Sequence, residues 1–335
     1  MLKLGYKASA EQFDPTQLLE FALLAERLQL DSVWVSDHFQ AFRHTHGHSP
    51  YSLAWLGALG ARTSRIIMGT SVLTPTFRYH PSIVAQAFGT LGALFPNRIV
   101  LGAGTGESLN EVPASALAWP EQKERTARFR EAITLIKTLW SQERVSFEGQ
   151  YYRTRVATVY DRPEVPVPIY IAAAGPFMAK LAGMEADGFI CTSGKKWQLY
   201  TETLLPALQT GLEIPRQQRP RSFERMIEMK VSFDTDYERA RDDTRQWAAL
   251  ALSPEEKMNV EDPLELEKLA DALPVERTAS RWIVTTDPDE MVEKIGAYIK
   301  LGFDHLVFHS PTPDQARFLE LFCERVVPRL RAKFG

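Results

Sequence analysis

The chain has 335 residues, 44% hydrophobic and 24% charged, with a formal net charge of -3. That composition excludes a disordered or fibrous protein and suits one large barrel or two ordinary domains. The weak negative charge gives no general attraction for nucleic acid or an anionic membrane, so any anion has to be caught by a local basic cluster. Cys191 and Cys323 are too few for a disulfide framework, and no apolar run is long enough to span a bilayer. The N-terminus, Met1-Leu2-Lys3-Leu4-Gly5-Tyr6, opens as a strand without a signal-peptide layout. The expected compartment is a reducing cytoplasm.

In chain order, short apolar or β-branched runs predict strands at about 2–7, 32–36, 66–73, 98–103, 168–173, 187–192, 226–233 and 304–309. Between them lie stretches with apolar residues at helical spacing, such as Gln17-Leu18-Leu19-Glu20-Phe21-Ala22-Leu23-Leu24 and Arg128-Phe129-Arg130-Glu131-Ala132-Ile133. Eight alternating strand–helix units predict parallel strands closed into a (β/α)8 TIM barrel rather than an open doubly wound sheet. Two segments exceed a plain barrel. Arg144-Val145-Ser146-Phe147-Glu148-Gly149-Gln150-Tyr151-Tyr152 reads as a hairpin, and the stretch from about 237 to 290 is helix-rich and broken by Pro254, Pro263 and Pro274. Insertions of this kind are expected at the carboxyl-terminal, catalytic face. With no flexible linker, repeat or low-complexity tract, residues 1–335 read as one domain.

Polar groups collect after the strands, where an α/β barrel places reacting residues. Ser36-Asp37-His38 closes the second strand, Gly102-Ala103-Gly104-Thr105-Gly106-Glu107 the fourth, and Cys191-Thr192-Ser193-Gly194-Lys195 the sixth. Each has two readings. The glycines either permit a tight turn or approach a phosphate, and they lack the full dinucleotide fingerprint. Glu107 either caps the next helix or faces a pocket. Lys195-Lys196 is either a solvated face or an anion site. His44, His46 and His48 resemble a metal site only superficially, since no carboxylate or cysteine completes it, and no metal is expected.

Leu4-Gly5-Tyr6-Lys7-Ala8-Ser9-Ala10-Glu11-Gln12-Phe13, Ser36-Asp37-His38-Phe39-Gln40, Gly69-Thr70-Ser71-Val72-Leu73-Thr74-Pro75-Thr76-Phe77-Arg78-Tyr79 and Gly104-Thr105-Gly106-Glu107 resemble the F420-dependent glucose-6-phosphate dehydrogenases of the luciferase-like barrel superfamily. The resemblance continues through Tyr170-Ile171-Ala172-Ala173, Gly188–Lys195, Ala270–Pro274, Arg281-Trp282-Ile283-Val284 and His305–His309, and is weakest around 205–222. It implies hydride transfer from C1 of a hexose 6-phosphate to coenzyme F420, with a small-molecule sugar phosphate as partner and a homodimeric assembly.

By the same resemblance His38 is the base taking the C1 hydroxyl proton, Glu107 supplies a proton to the deazaflavin N1, and Glu11 and Phe42 complete the catalytic set. Asp37, Ser71, Val72, Thr74, Thr105, Gly106, Asn110, Ala174, Gly175, Phe177 and Met178 are the implied cofactor contacts, with Ser71-Val72 at the position of a non-proline cis peptide. Thr192, Lys195, Lys257, Met258 and Arg281 are the implied substrate contacts, the cations forming a cage for the phosphate. Two positions depart from the family pattern: Phe42 stands where tryptophan is usual and Met258 where histidine is usual. Losing polar groups there relaxes sugar discrimination, so mannose or fructose 6-phosphate is expected beside glucose 6-phosphate. The alternatives are an F420-dependent reductase or FMN-linked monooxygenase, which the three cations disfavour, and a non-catalytic sugar-phosphate-binding barrel, which His38 and Glu107 disfavour.

Overall fold

The computed structural model describes residues 2–215, 223–258 and 260–335, and in these residues eight parallel strands close into a ring. The strands are β1 (Lys3–Ala8), β2 (Ser32–Val35), β3 (Ile67–Thr70), β4 (Ile99–Ala103), β7 (Ile169–Ala172), β8 (Gly188–Thr192), β9 (Glu224–Phe233) and β11 (His305–His309). Outside the ring are β5 (Val145–Glu148), β6 (Arg153–Ala157) and β10 (Ile283–Thr285). Closure comes from β9, which pairs with β8 on one side and with β11 on the other, while β11 pairs with β1. All eight expected strands are present, each end within three residues of its expected place. β10 was not anticipated; it pairs only with the upper part of β9, Val231–Phe233.

Several connecting helices start with the same local device. Asp14, Asp262 and Asp287 cap helices Pro15–Arg27, Pro263–Asp271 and Pro288–Lys300, each carboxylate accepting from first-turn amides while the following proline presets φ. The helices bury their apolar stripes against the outside of the ring. The inside is filled by Trp34, Val100, Tyr170, Ile190, Met226 and Val307. Trp34 stacks on Tyr170 with centroids 5.7 Å apart, and there is room for it because β3 carries Gly69, where a Cβ would lie 2.6 Å from the indole.

The two insertions lie differently. Residues 237–258 and 260–282 pack over the carboxyl-terminal ends of the strands: Trp247 meets His309, and Arg43 binds Glu267 and Asp271. The β5–β6 hairpin runs along the outer helices, its turn held by Glu131 and Tyr152 reaching the Thr76 carbonyl.

At the opposite end a polar relay seals the floor. Lys3 and His305 Nδ1 bind the Glu224 carboxylate, and His305 Nε2 lies 2.7 Å from Ser32 Oγ. This has the connectivity of a hydrolytic triad but not its function, since Ser32 is wholly buried and already accepts from Trp34 Nε1. Burial works against the Glu224 charge, but His305 and Lys3 outweigh it and pull the carboxyl down to about 2. The pair therefore contributes stability that is fully present above the ordinary carboxylate pKa and is lost as pH falls toward 2. Glu224→Gln is expected to lower stability at neutral pH by about 1–3 kcal/mol and to flatten its dependence between roughly pH 4.5 and 2, read by urea unfolding across pH.

Candidate active site

A cavity of about 350 Å³ opens at the carboxyl-terminal ends of the strands, lined by residues from five of the strand-to-loop junctions. Asp37 and His38 follow β2, Ser71, Val72 and Thr74 follow β3, and Gly104, Thr105, Gly106 and Glu107 follow β4. Ala173 and Ala174 follow β7, and Thr192 ends β8. A larger cleft of about 1030 Å³ lies on the outer flank between helices Gln122–Ser141 and Pro176–Glu185, away from these junctions. Chemistry rather than volume decides between them, because only the smaller cavity gathers a histidine, carboxylates and a glycine loop.

His38 Nδ1 lies 2.5 Å from Glu11 Oε1. Burial resists charge on both. For Glu11 the His38 charge and hydrogen bond and the Lys7 ammonium prevail, and its carboxyl is drawn down to about 2. For His38 Glu11 prevails with help from Glu107, and its pKa is raised above the ordinary histidine value. With Nδ1 engaged by Glu11, Nε2 is the nitrogen left to exchange a proton. Phe42 packs edge-on against the imidazole at 5.3 Å and fixes its tilt. Glu107 occupies the N-cap position of helix Ser108–Ser115, yet its side chain makes no capping bond, so the pocket-facing alternative holds.

The cofactor-side residues form a narrow, small-walled slot. Ser71–Val72 is a cis peptide, and the Ser71 carbonyl accepts from Lys7 Nζ at 2.8 Å. A Cβ on Gly104 would stand 2.7 Å from Val72, and Gly106 has φ +83, so both glycines keep the slot open. Asp37 is buried and held by Ser52, Tyr79 and Arg78, while Arg78 also grips Glu111. Asn110 spends its oxygen on the Phe39 and Gln40 amides and leaves a buried Nδ2 unpartnered in the lining. An orphaned buried donor in the lining of a cavity this size fits a ligand that carries carbonyls.

For two of the implied cofactor contacts the side chains lie elsewhere. Met178 is buried in the helix–strand core, and Phe177 is 63% exposed and lines the outer cleft, so neither side chain reaches the cavity. The reason is helical geometry: both lie in the first turn of Pro176–Glu185, behind its N-cap Gly175, so what they offer is backbone N–H groups.

On the opposite side stand the cations. Gly194, at φ +71, lets its loop approach so closely that a Cβ would lie 2.2 Å from the Arg281 carbonyl. Arg281 Nε is buried without a partner, and among the described residues no carboxylate pairs with Lys195, Lys257 or Arg281. Burial, then Arg281, Lys230 and Lys257, push the Lys195 ammonium down to about 8. Met258 is 64% exposed in the turn beside Lys257. Lys195, Lys257 and Arg281 lie close enough to act on one another's charge, a grouping whose chemistry suits an anion. Among the described residues no group of three or more His, Cys, Asp or Glu is arranged for a metal ion.

Residues not singled out from sequence also converge here. Glu228 lines the cavity floor and meets Lys230 at 3.4 Å, His309 Nδ1 at 3.1 Å and Lys7 at 3.9 Å. The available signal was the alternation Ile227-Glu228-Met229-Lys230-Val231, polar residues at every second position of a strand otherwise apolar enough to be buried on both faces.

A closed parallel barrel with these groups at its carboxyl-terminal face belongs to a known class. The luciferase-like monooxygenase family matches residues 2–305. The chain belongs to that family, and within it to the F420-dependent glucose-6-phosphate dehydrogenases. It is 63% identical to the protein of that name from Nakamurella multipartita over 334 residues, covering 100% of this chain and 98% of the relative. The relative of the same name from Mycolicibacterium smegmatis is 57% identical, with 98% of each chain covered. Among solved structures, an F420-dependent secondary alcohol dehydrogenase in complex with an F420–acetone adduct superposes with TM-score 0.91 at 32% identity, covering 98% of this chain and 99% of that one. A coenzyme F420-dependent tetrahydromethanopterin reductase from Methanopyrus kandleri, at TM-score 0.81 and 20% identity over 98% of this chain and 99% of that one, shares the fold.

The Glu11–His38 contact makes a titration prediction. His38 is expected to titrate above 6.5, and Glu11→Gln to move its pKa downward because burial then acts with less opposition. Imidazole NMR titration of the two proteins measures this; an unchanged His38 pKa in the variant would separate the two residues electrostatically.

Proposed function

We propose that this chain is a single-domain, cytoplasmic, homodimeric enzyme that oxidises C1 of a hexose 6-phosphate with coenzyme F420. The observation that carries the reading is that His38, in contact with Glu11, and Glu107 line one cavity, while Lys195, close enough to Glu107 to feel its charge, is grouped with Lys257 and Arg281. The names of the relatives and of the F420-bound structural neighbour support the cofactor and the substrate class. That no helix among the described residues is long and apolar enough to cross a membrane, and that both cysteines are free, accord with the proposed compartment.

The residues divide the work. Coenzyme F420, when bound, supplies a hydride acceptor resembling nicotinamide. Val72 backs its slot, and the free Asn110 Nδ2 and the amides opening helix Pro176–Glu185 offer hydrogen bonds. Asp37, paired with Arg78, fixes the loop that carries His38. His38 accepts the proton of the C1 hydroxyl as hydride leaves C1, giving the lactone, and Glu11 stabilises the imidazolium so formed. Glu107, which lines the same cavity, would be the carboxyl that supplies the proton a bound F420 takes up on reduction. Thr192, Lys195, Lys257 and Arg281 hold the phosphate, remote binding energy that keeps C1 against the acceptor.

The discriminating experiment is to mix the protein with oxidised F420 or FMN and follow cofactor bleaching with glucose, mannose and fructose 6-phosphates and free glucose. F420 reduction with glucose and mannose 6-phosphates is expected, with none from FMN and little from glucose; fructose 6-phosphate, whose anomeric C2 carries no hydrogen to give as hydride, is expected to give none, which corrects the wider range expected from the sequence, and bleaching that ignores the phosphate would overturn the reading. In the same assay His38→Ala should lower kcat about 10²–10⁴-fold. Phe42→Trp should narrow the substrate range toward glucose 6-phosphate, because it restores a ring N–H beside His38.

Because Lys195 is held near 8, the cage weakens as it loses its proton. The KM for sugar phosphate should therefore rise with pH beyond about 8, and Lys195→Ala should raise KM at neutral pH by about tenfold or more and abolish that rise. Initial rates from pH 6 to about 9.5 measure both effects.

A further inference from the structure

Lys230 has no role in the chemistry derived so far, yet it is 4% exposed and stands at the junction of the cavity floor and the anion site. Its ammonium pairs with Glu228 at 3.4 Å and donates to Thr192 Oγ1. Its backbone N–H donates to Ser193 Oγ at 2.8 Å, while the Ser193 N–H donates to the Glu228 carbonyl at 2.8 Å. The loop carrying Thr192 and Lys195 is thereby stitched to β9, and Gly194 presses the same loop against Arg281.

A hydroxyl that accepts from an ammonium has its own hydrogen left to give. The Thr192 hydrogen goes to the Ser193 carbonyl across 3.2 Å, a long bond that a phosphate oxygen, being charged, would readily replace. We propose that Lys230 is a positioning residue of the phosphate cage: it holds Thr192 as a hydrogen-bond donor toward the substrate phosphate and places a fixed charge behind Lys195 and Arg281. The inference rests on the sugar-phosphate reading above. It assigns to a buried strand residue a share of phosphate recognition that rim cations alone would not supply, because their side chains are more exposed and more easily screened.

Lys230→Met is the direct test. Glu228 keeps Lys7 and His309 as partners, so the variant is expected to fold. Its KM for glucose 6-phosphate should rise by about tenfold or more with kcat changed less than about threefold. The kcat/KM for free glucose and the F420 affinity, read by fluorescence quenching, should stay unchanged. Thr192→Val should show the same pattern, and the double variant should be no worse than the worse single one, since both remove one relay. A normal KM in Lys230→Met, equal losses for glucose and glucose 6-phosphate, or multiplying effects in the double variant would overturn the assignment. Should Lys230→Met not fold, Lys230→Gln is judged by the same criteria. If the unaltered enzyme reduces no F420 with any sugar phosphate, the functional reading is what fails. Calorimetric titration with inorganic phosphate then decides the role of Lys230 separately: about tenfold weaker binding in the variant supports it, and equal binding rejects it.

Discussion

The buried carboxylate of Glu228 is the interaction on which the carboxyl-terminal face depends. A lone ion in the barrel would be prohibitively costly, so its neighbours are arranged around it: Lys7 from β1, Lys230 from the same strand and His309 from β11. Each partner has a second contact that leads elsewhere. Lys7 reaches the Ser71 carbonyl at the slot, Lys230 reaches Thr192 at the anion site, and His309 packs against Trp247 and Trp282 of the covering segment. One carboxylate thus references three walls of the cavity to one another. This is the preorganisation that hydride transfer requires, where donor and acceptor have to meet at a fixed distance.

The same logic explains the division between the two ends of the barrel. Both contain a Glu from β9 bonded to a His from β11, Glu224 with His305 below and Glu228 with His309 above. Below, the serine partner is enclosed and the relay only seals the floor. Above, the carboxylate lines the cavity that also holds His38 and Glu107, and its cations reach Ser71 and Thr192 of that lining. Similar side chains serve structure in one place and border the candidate site in the other, and their neighbours make the difference, an enclosed serine below and the strand-end junctions above.

Much of this was legible in the sequence. Strand positions followed from short β-branched runs, and the junctions after β2, β4 and β8 announced themselves by clustering Asp, His, Glu and Lys after apolar segments. The family resemblance supplied Asn110 and Arg281, which no spacing argument would have picked out. What was missed has physical reasons. β10 is three residues long, too short for any period to register. Glu228 and Lys230 look like interruptions of a strand until ring closure shows that their side faces inward. Phe177 and Met178 illustrate the converse: a residue can belong to a site through its amide while its side chain packs elsewhere, which residue identity does not reveal.

The attachment of β10 has a consequence for how such enzymes diversify. The slot side of the cavity is built from strand ends inside the closed ring, whereas Lys257, Arg281 and Trp282 ride on a covering segment joined to the ring through the edge pairing of β10 with β9. The covering segment can be rewritten by insertion or drift without disturbing ring closure. Substitutions in the covering segment would therefore change the surroundings of Lys257 and Arg281 while leaving the strand-end wall of the cavity in place.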